Sequence, residues 1–346
     1  MRLLIVIVNY RTPALAIDCL ASLEPELAAL PGLARVDVVE GGSADDSAQR
    51  IADAIAQRGW SGWVRLRVCE RNRGFAAGNN LAIAAALHRA NPPRYILMLN
   101  PDTLVRPGAL ATLLRFMDEH ADVGLVGPRI ENPDGSARPS AFRFHSIAGE
   151  FNKAIRLRLV SRLLAHRVIA PPPRDAAHAT DWVSGAAMLV RREVFEQVGL
   201  LDERYFLYYE EQDLAWRARR AGWRCWYVPE ARVVHLVGQS SGVTGANRAA
   251  RPVPAYWFAS RRHFFCKTYG RGYAALNDLV FLAAFACWRV RRRLQARPDP
   301  DPPRFLRDFI RHSLLPRRSE PQRNMDQGPL AASRNLTNTA DRPPSR

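Results

Sequence analysis

The chain has 346 residues, of which 47% are hydrophobic, and it carries 50 Lys+Arg against 33 Asp+Glu for a formal net charge of +17. That length accommodates one large α/β domain with additions, or two domains, and the apolar content is that of an ordinary soluble protein. The charge is uneven: residues 251–346 hold 19 Lys+Arg against 7 Asp+Glu, so +12 of the +17 lies in the last part and points to an anionic partner, either nucleic acid or a membrane surface.

Five cysteines (Cys19, Cys69, Cys225, Cys266 and Cys287) stand far apart with no C-x-x-C spacing, and read as buried thiols in a reducing compartment. Residues 3–8 form an apolar, β-branched run that suits a central parallel strand. The run is too short for a signal-peptide core, which places the protein in the cytosol. Pro13 opens a helix with Leu15, Ile17, Cys19, Leu20 and Leu23 as its apolar positions. A second strand over 36–39 ends in Glu40-Gly41-Gly42-Ser43, a glycine turn followed by the helix-capping residues 44–47. The next helix reaches Arg58-Gly59, and residues 63–69 alternate as a third strand. Residues 72–80, reading NRGFAAGNN, form a glycine-punctuated loop before a helix over 81–89. A fourth strand over 95–99, a helix over 108–120 and a strand over 123–127 continue the alternation. The pattern predicts an α/β fold with a doubly wound, mostly parallel sheet and helices on both faces. No G-x-G-x-x-G follows the first strand and no G-x-x-x-x-G-K-[ST] occurs, which sets aside two common nucleotide folds.

From 136 to 181 the alternation lapses into a helical insertion. Residues 151–169 place Phe151, Ile155, Leu159, Leu163 and Leu164 on one face, with Lys153, Arg156, Arg158, Arg162 and Arg167 among the others, and Pro171 to Pro173 end the run. A basic amphipathic helix there suits either anionic lipid or the cover of an acceptor cleft. A strand over 182–190 and a short helix over 192–198 lead to Tyr208-Tyr209-Glu210-Glu211-Gln212-Asp213 and a helix that Gly222 stops. Residues 223–228 and 232–234 are strand-like, and His235 follows. Beyond Pro254 the pattern is helical. Residues 279–288 are unbroken apolar, about ten residues where a bilayer span needs ~20, and Arg289, Arg291, Arg292 and Arg293 follow, as in a helix lying in a membrane interface. From 319 the chain is polar and proline-dotted, and disorder is expected.

The chemistry centres on residues 95–103, YILMLNPDT. The strand breaks abruptly into Asn100-Pro101-Asp102-Thr103, placing a carboxylate at the carboxyl end of a central strand, where open α/β sheets bind ligands. Asp102 beside Asn100 suits a hard divalent cation whose shell a substrate phosphate completes, and the same residues suit an Asx-type turn. Glu210, Glu211 and Asp213 offer a general base, and mutual repulsion favours a raised pKa in one of them. The same three acids also suit a helix first turn, where the macrodipole favours negative charge. His235 alone reads as a core histidine, and together with Asp102 as a metal ligand.

In this order, the segments resemble glycosyltransferase family 2, sugar transferases of the GT-A fold, and most closely its bacterial rhamnosyltransferase-like branch, over roughly residues 2–270. IVIVNYRTP is similar to the family's first strand and nucleotide-contacting turn, through Val8, Asn9 and Tyr10. VVEGGSADDS is similar to the second-strand motif, with Glu40 where an aspartate usually receives the base N–H and Gly41 where asparagine is usual. NRGFAAGNN resembles the loop against the nucleotide, through Asn72, Gly74 and Gly78. NPD resembles the metal motif, with Asp102 as the matching carboxylate and Asn100 replacing the first aspartate. YEEQDL resembles the E-D-x-D-L helix start: Glu210 and Asp213 match, and Glu211 occupies the place of the catalytic base. VVHLVGQSSG is similar to the segment that supplies a late histidine metal ligand, here His235.

The resemblance implies a nucleotide-sugar transferase domain over 1–250, containing the 136–181 insertion. A helical, basic, membrane-associating extension over 251–318 and a disordered tail over 319–346 complete the expected layout. It implies an inverting glycosyltransferase dependent on Mg²⁺ or Mn²⁺, taking a nucleotide-sugar, dTDP-rhamnose foremost. The implied acceptor is a lipid-linked saccharide at the inner face of the cytoplasmic membrane, in cell-surface polysaccharide synthesis. A rival reading is a catalytically silent nucleotide-sugar-binding protein, because Glu40 and Glu211 each exceed the usual aspartate by one methylene. Nucleic-acid binding through the arginine-rich end ranks last, since those arginines adjoin an apolar run and not a groove-reading helix or stacking aromatics.

Overall fold

The computed structural model describes residues 1–236, 252–297 and 300–313. The expected tail and the segment 237–251 lie outside the described residues. The chain runs β1 (Leu3–Asn9), α1 (Pro13–Ala28), β2 (Ala34–Glu40), α2 (Ser47–Gln57), β3 (Val64–Val68), α3 (Phe75–Leu87), β4 (Tyr95–Leu99), β5 (Thr103–Val105), α4 (Ala109–Glu119) and β6 (Val123–Glu131). The middle contains β7 (Ala137–Arg138), β8 (Ala141–Phe142), α5 (Ile147–Ile155), α6 (Arg158–Leu163), β9 (His178–Thr180), β10 (Trp182–Val183), β11 (Ala187–Arg191) and α7 (Arg192–Val198). Then come α8 (Glu210–Arg220), β12 (Arg224–His235), α9 (Ala255–Tyr269), α10 (Arg271–Leu294) and α11 (Phe305–Ser313).

The main sheet has the order β3-β2-β1-β4-β11-β6-β12-β5. Its first four strands pair in parallel, as do β6 and β12, while β11 runs antiparallel between β4 and β6. All five residues of β4 are buried, because apolar layers cover both faces: α1, α2 and α4 on one, α3, α7 and α8 on the other. The expected two-sided α/β sheet is therefore observed, and the carboxyl ends of β1, β2 and β4 open on one edge.

Four local expectations change. The helix after the glycine loop starts at Phe75, so Gly78, Asn79 and Asn80 lie inside it. Gly78 is there because a Cβ would meet Val8 Cγ1 at 2.8 Å, so its helix can approach β1 only without a side chain. The predicted single strand over 182–190 is two: β10 pairs with β8 in a separate small sheet, and β11 joins the main one. The amphipathic helix expected over 151–169 breaks at Arg156, whose φ is +49°, into α5 and α6. Ile155 is buried with the C-terminal helices whereas Leu159 and Leu163 are 68% and 70% exposed, so the two halves answer to different surroundings. Of the cysteines, all free, Cys19 and Cys225 are buried, Cys69 and Cys266 half-buried, and Cys287 exposed.

The C-terminal helices are not a loose extension. Phe258, Phe281, Phe285, Trp288 and Phe309 form an aromatic core shared with Ala154 and Ile155 of α5. With 24 residues, α10 is longer than its ten-residue apolar run suggested, and by length and composition it is long and apolar enough to cross a membrane. One of its faces is spent on that aromatic core, while Leu276, Leu279, Val290 and Leu294 remain exposed.

Candidate active site

At the carboxyl end of β4, Asn100 and Asp102 leave the strand and the chain turns back as β5, which pairs antiparallel with the end of β12 and sets His235 opposite Thr103. That register, which a three-residue strand cannot announce in a sequence, brings His235 Nε2 to 3.2 Å from Asp102 Oδ1 and 3.4 Å from Asn100 Nδ2. One ring nitrogen cannot donate to the carboxylate and accept from the amide at once. Asp102 is 1% exposed, and its Oδ2 is buried without a hydrogen-bond partner among the described residues. An unpartnered buried carboxylate oxygen is costly, and a divalent cation held between Asp102 and His235 relieves it, so these residues fit a metal. Among the described residues no cluster of three His, Cys, Asp or Glu exists to enclose one, so further ligands have to come from elsewhere, as substrate oxygens can.

The strand ends β1 and β2 make the neighbouring wall. Asn9 is buried; its Oδ1 accepts from Thr12 Oγ1 at 3.0 Å and its carbonyl from Gly41 N at 2.8 Å. Arg11 stacks over Tyr10, 5.1 Å from the ring centroid. The Glu40 carboxylate folds back on its own turn, accepting from Gly42 N at 3.0 Å, from Ser43 N at 3.1 Å and from Ser43 Oγ. The loop residues Asn72 and Gly74 act on the backbone: Asn72 Oδ1 accepts from Gly74 N at 2.8 Å, and at Gly74, with φ +90°, a Cβ would strike Phe206 O. Phe75 N donates to the same Phe206 carbonyl at 2.8 Å, which binds this loop to the segment preceding α8.

That segment delivers the acids. Tyr208 and Tyr209 both adopt left-handed backbone, φ +72° and +73°, a conformation costing about 1–3 kcal/mol each in non-glycine residues and met most often at functional sites. The turn places Glu210 and Glu211 at the first positions of α8, each with its Oε2 buried and unpartnered among the described residues. The helix N-terminus favours their negative charge by about 0.3–1 kcal/mol. Burial outweighs it, pushing Glu211 up to about 7, and burial together with the Glu211 charge pushes Glu210 well above the carboxylate range. Asp213 points elsewhere: Arg217 Nε lies 2.8 Å from its Oδ2 and Lys267 Nζ 2.6 Å from its Oδ1, so it fastens α8 to α9.

A cleft of about 620 Å³ joins these parts, with Asn100 and His235 on one wall and Glu210, Glu211 and Gln212 on another. Asp213 does not line it, and neither do Asn9, Tyr10, Glu40, Asn72, Gly74 or Gly78. Its remaining lining includes residues to which the sequence reading gave no role: Phe142 and Trp182, stacked at 4.1 Å, and His145, Ser184, Gly185 and Tyr209. The glycine of Ser184-Gly185, inside the run read as one strand, was an available signal, since a glycine there marks a break or a close approach; Gly185 backs onto the Glu211 side chain.

Residues 2–253 match the family described as Glycosyltransferase like family 2. The chain belongs to this family. A Mycobacterium tuberculosis relative, N-acetylglucosaminyl-diphospho-decaprenol L-rhamnosyltransferase, is 34% identical over 210 residues, covering 58% of this chain and 68% of the relative. The rhamnosyltransferase WbbL of Escherichia coli strain K12 is 29% identical over 166 residues, 47% of this chain and 60% of that one. Among solved structures, the Pyrobaculum calidifontis mannosyltransferase PcManGT, in complex with GDP-Man and Mn²⁺, superposes with a TM-score of 0.52 at 14% identity, covering 85% of this chain and 75% of that one. S. aureus TarS 1–349 with UDP-GlcNAc gives 0.52 at 14% identity, covering 90% and 82%. The family 2 chain described here is accordingly a glycosyltransferase with the GT-A fold.

Proposed function

We propose that the protein is an inverting rhamnosyltransferase that moves rhamnose from dTDP-rhamnose to an N-acetylglucosaminyl-diphospho-lipid at the inner face of the cytoplasmic membrane. The observation that carries this reading is the cleft that joins Asn100 and His235, beside the buried Asp102, to Glu211. The relatives named for rhamnosyl transfer, one of them for a diphospho-decaprenol acceptor, support the donor and acceptor. The acceptor hydroxyl attacks the anomeric carbon, its proton passes to Glu211, and the bond from that carbon to the diphosphate breaks. A base with a pKa near the working pH combines a populated carboxylate with enough basicity, which the burial of Glu211 supports. Asp102 and His235 would hold Mg²⁺ or Mn²⁺, which when bound neutralises charge on a departing diphosphate. Asn9, Tyr10 and Glu40 border the base and sugar of the nucleotide, and Asn72, Gly74 and Gly78 shape that border through backbone contacts. Asp213 contributes by positioning α8.

Residues 1–250 form the transferase domain in this reading, and the C-terminal helices dock it on the membrane. The Arg156 carbonyl, at the break between α5 and α6, accepts from Arg291 Nη2 at 3.0 Å, so the start of α6 lies near the end of α10. Leu159 and Leu163 of α6 and Leu276, Leu279, Val290 and Leu294 of α10 thereby present apolar surface among arginines, as an anionic lipid interface requires. The test is transfer to a short-chain N-acetylglucosaminyl-diphospho-lipid, with dTDP-rhamnose, UDP-GlcNAc and GDP-mannose compared with and without Mn²⁺. Rhamnosyl transfer that stops on chelation supports the proposal; transfer from another donor alone, or undiminished by chelation, refutes it.

A further inference from the structure

We infer that His145 is a binding residue for the acceptor sugar, presenting Nε2 to one of its hydroxyl groups from the wall of the cleft that also holds Glu211. The inference rests on the transferase reading of this cleft. His145 lines it, yet its ring is gripped from behind: Nδ1 lies 2.8 Å from Glu150 Oε1, and Glu150 Oε2 lies 2.9 Å from Arg261 Nη2. The other arm of Arg261 pairs with Asp278 of α10. All four residues are buried. Burial pushes the Glu150 carboxyl up, but the charges of Lys153 and Arg261 and the His145 hydrogen bond together hold it well below the usual range, so it is an ionised acceptor. Nδ1 therefore carries the proton that Glu150 receives. Burial lowers the His145 pKa, so the ring is neutral and its Nε2 is left as an acceptor.

Stability alone is a poor account of this chain of charges. Arg261 sits among aromatic rings, 4.7 Å from the Phe265 centroid and 4.8 Å from that of Phe309, where apolar residues of equal volume would commonly serve as well or better. What the arrangement supplies is one tautomer in one orientation, the task that carboxylates perform for ligating and catalytic histidines. Beside it, the stacked Phe142 and Trp182 offer an apolar face, and Trp182 is fixed by donating from Nε1 to the Arg143 carbonyl at 3.1 Å. One oriented polar atom against an aromatic wall is a usual recipe for fixing a small ligand.

The test turns on His145→Asn, whose amide NH₂ can still donate to Glu150 but which has no atom where Nε2 stood. Expected is a rise of roughly 5- to 100-fold in KM for a short-chain N-acetylglucosaminyl-diphospho-lipid, the effect of leaving one substrate hydroxyl unpaired. The melting shift given by dTDP-rhamnose with Mn²⁺ should stay as in the wild type. An acceptor KM within twofold of wild type makes His145 a packing residue and overturns the inference. A second measurement needs no variant: ¹⁵N spectra of the wild-type imidazoles should show His145 as the Nδ1–H tautomer, with Nε2 shifting when the acceptor is added. A different tautomer, or no shift, overturns it as well. Loss of the donor-induced melting shift in the wild type itself strikes the transferase reading instead, because that arm does not involve His145.

Discussion

Glu211→Gln separates the charge of this carboxylate from its shape. Burial raises Glu211 from its ordinary 4.5 to about 7, so the folded protein holds the proton more tightly than the unfolded chain does. Below pH 4.5 both states are protonated and the group costs nothing. As pH rises from 4.5 to 7 the unfolded chain releases its proton first, and stability falls until the folded group ionises too. At 1.36 kcal/mol per pKa unit, the loss reaches about 3 kcal/mol at pH 8, an upper figure because the side chain keeps some contact with solvent. Glutamine is neutral throughout, so the variant should unfold at higher urea than wild type at pH 8 and at nearly the same urea at pH 4. Catalysis should move the other way: kcat falls by roughly 10²–10⁴ with donor affinity little changed, because no base remains for the acceptor proton. The wild-type kcat/KM should climb with pH, half-maximal near 7, to a plateau above about 8. A variant retaining more than a tenth of wild-type kcat, or one equally destabilised at both pH values, refutes the assignment; normal Glu211→Gln turnover beside a disabled Glu210→Gln moves the base one residue back.

Asp102→Ala should abolish the Mn²⁺-dependent melting shift given by dTDP-rhamnose while the unliganded protein still unfolds in one cooperative transition, and a shift of wild-type size refutes the metal role. Asp213→Asn should lower stability by about 2–3 kcal/mol through its contacts with Arg217 and Lys267, with less than about a tenfold loss of kcat; a Glu211-sized loss would mean it touches the reacting groups. Leu159→Ser with Leu163→Ser should weaken binding to vesicles of anionic phospholipid by more than about 100-fold, since two leucines at roughly 1.5–3 kcal/mol each sum to about 3–6 kcal/mol, and unaltered binding removes α6 from the docking face. Deleting residues from Arg271 onward should yield insoluble protein, because the aromatic core and the Asp278 partner of Arg261 are lost; a soluble, active truncation contradicts that packing.

The sheet was legible because its strands are continuous apolar runs and its turns are marked by glycine, proline and capping residues. The acids and His235 were legible as residue types in a familiar order. What pattern alone could not supply is depth and direction. Asp213 looks like a ligand-facing carboxylate in the sequence, yet it braces two helices, and nothing in the sequence shows that Glu40 also holds the amides of its own turn. His145 carries no local signal, since its partners Glu150, Arg261 and Asp278 are spread over residues 150–278 and meet only when α9 and α10 pack on α5. The tandem left-handed tyrosines were invisible for a related reason: nothing in Tyr-Tyr asks for positive φ, and only the surrounding contacts enforce it.

Net charge by region leaves out how a single arginine of the C-terminal helices is used. Counting arginines treats each as a solvated charge, and most of the +12 beyond residue 250 is read as an electrostatic appendage. Arg261, however, is buried between two carboxylates, and one of those, Glu150, belongs to the insertion that walls the cleft. The same helix that supplies Asp278 exposes leucines on its opposite side, so in the proposed docking a helix that would meet lipid on one face holds a charge that steadies the cleft on the other. A transferase whose acceptor is tethered to the membrane needs its cleft held at a fixed height above the lipid surface. Sharing α10 between the aromatic core, the Asp278–Arg261–Glu150 chain and the exposed apolar stripe would meet that need with one rigid element if the proposed docking holds. A flexible basic tail of equal charge would supply attraction to the surface without fixing that height.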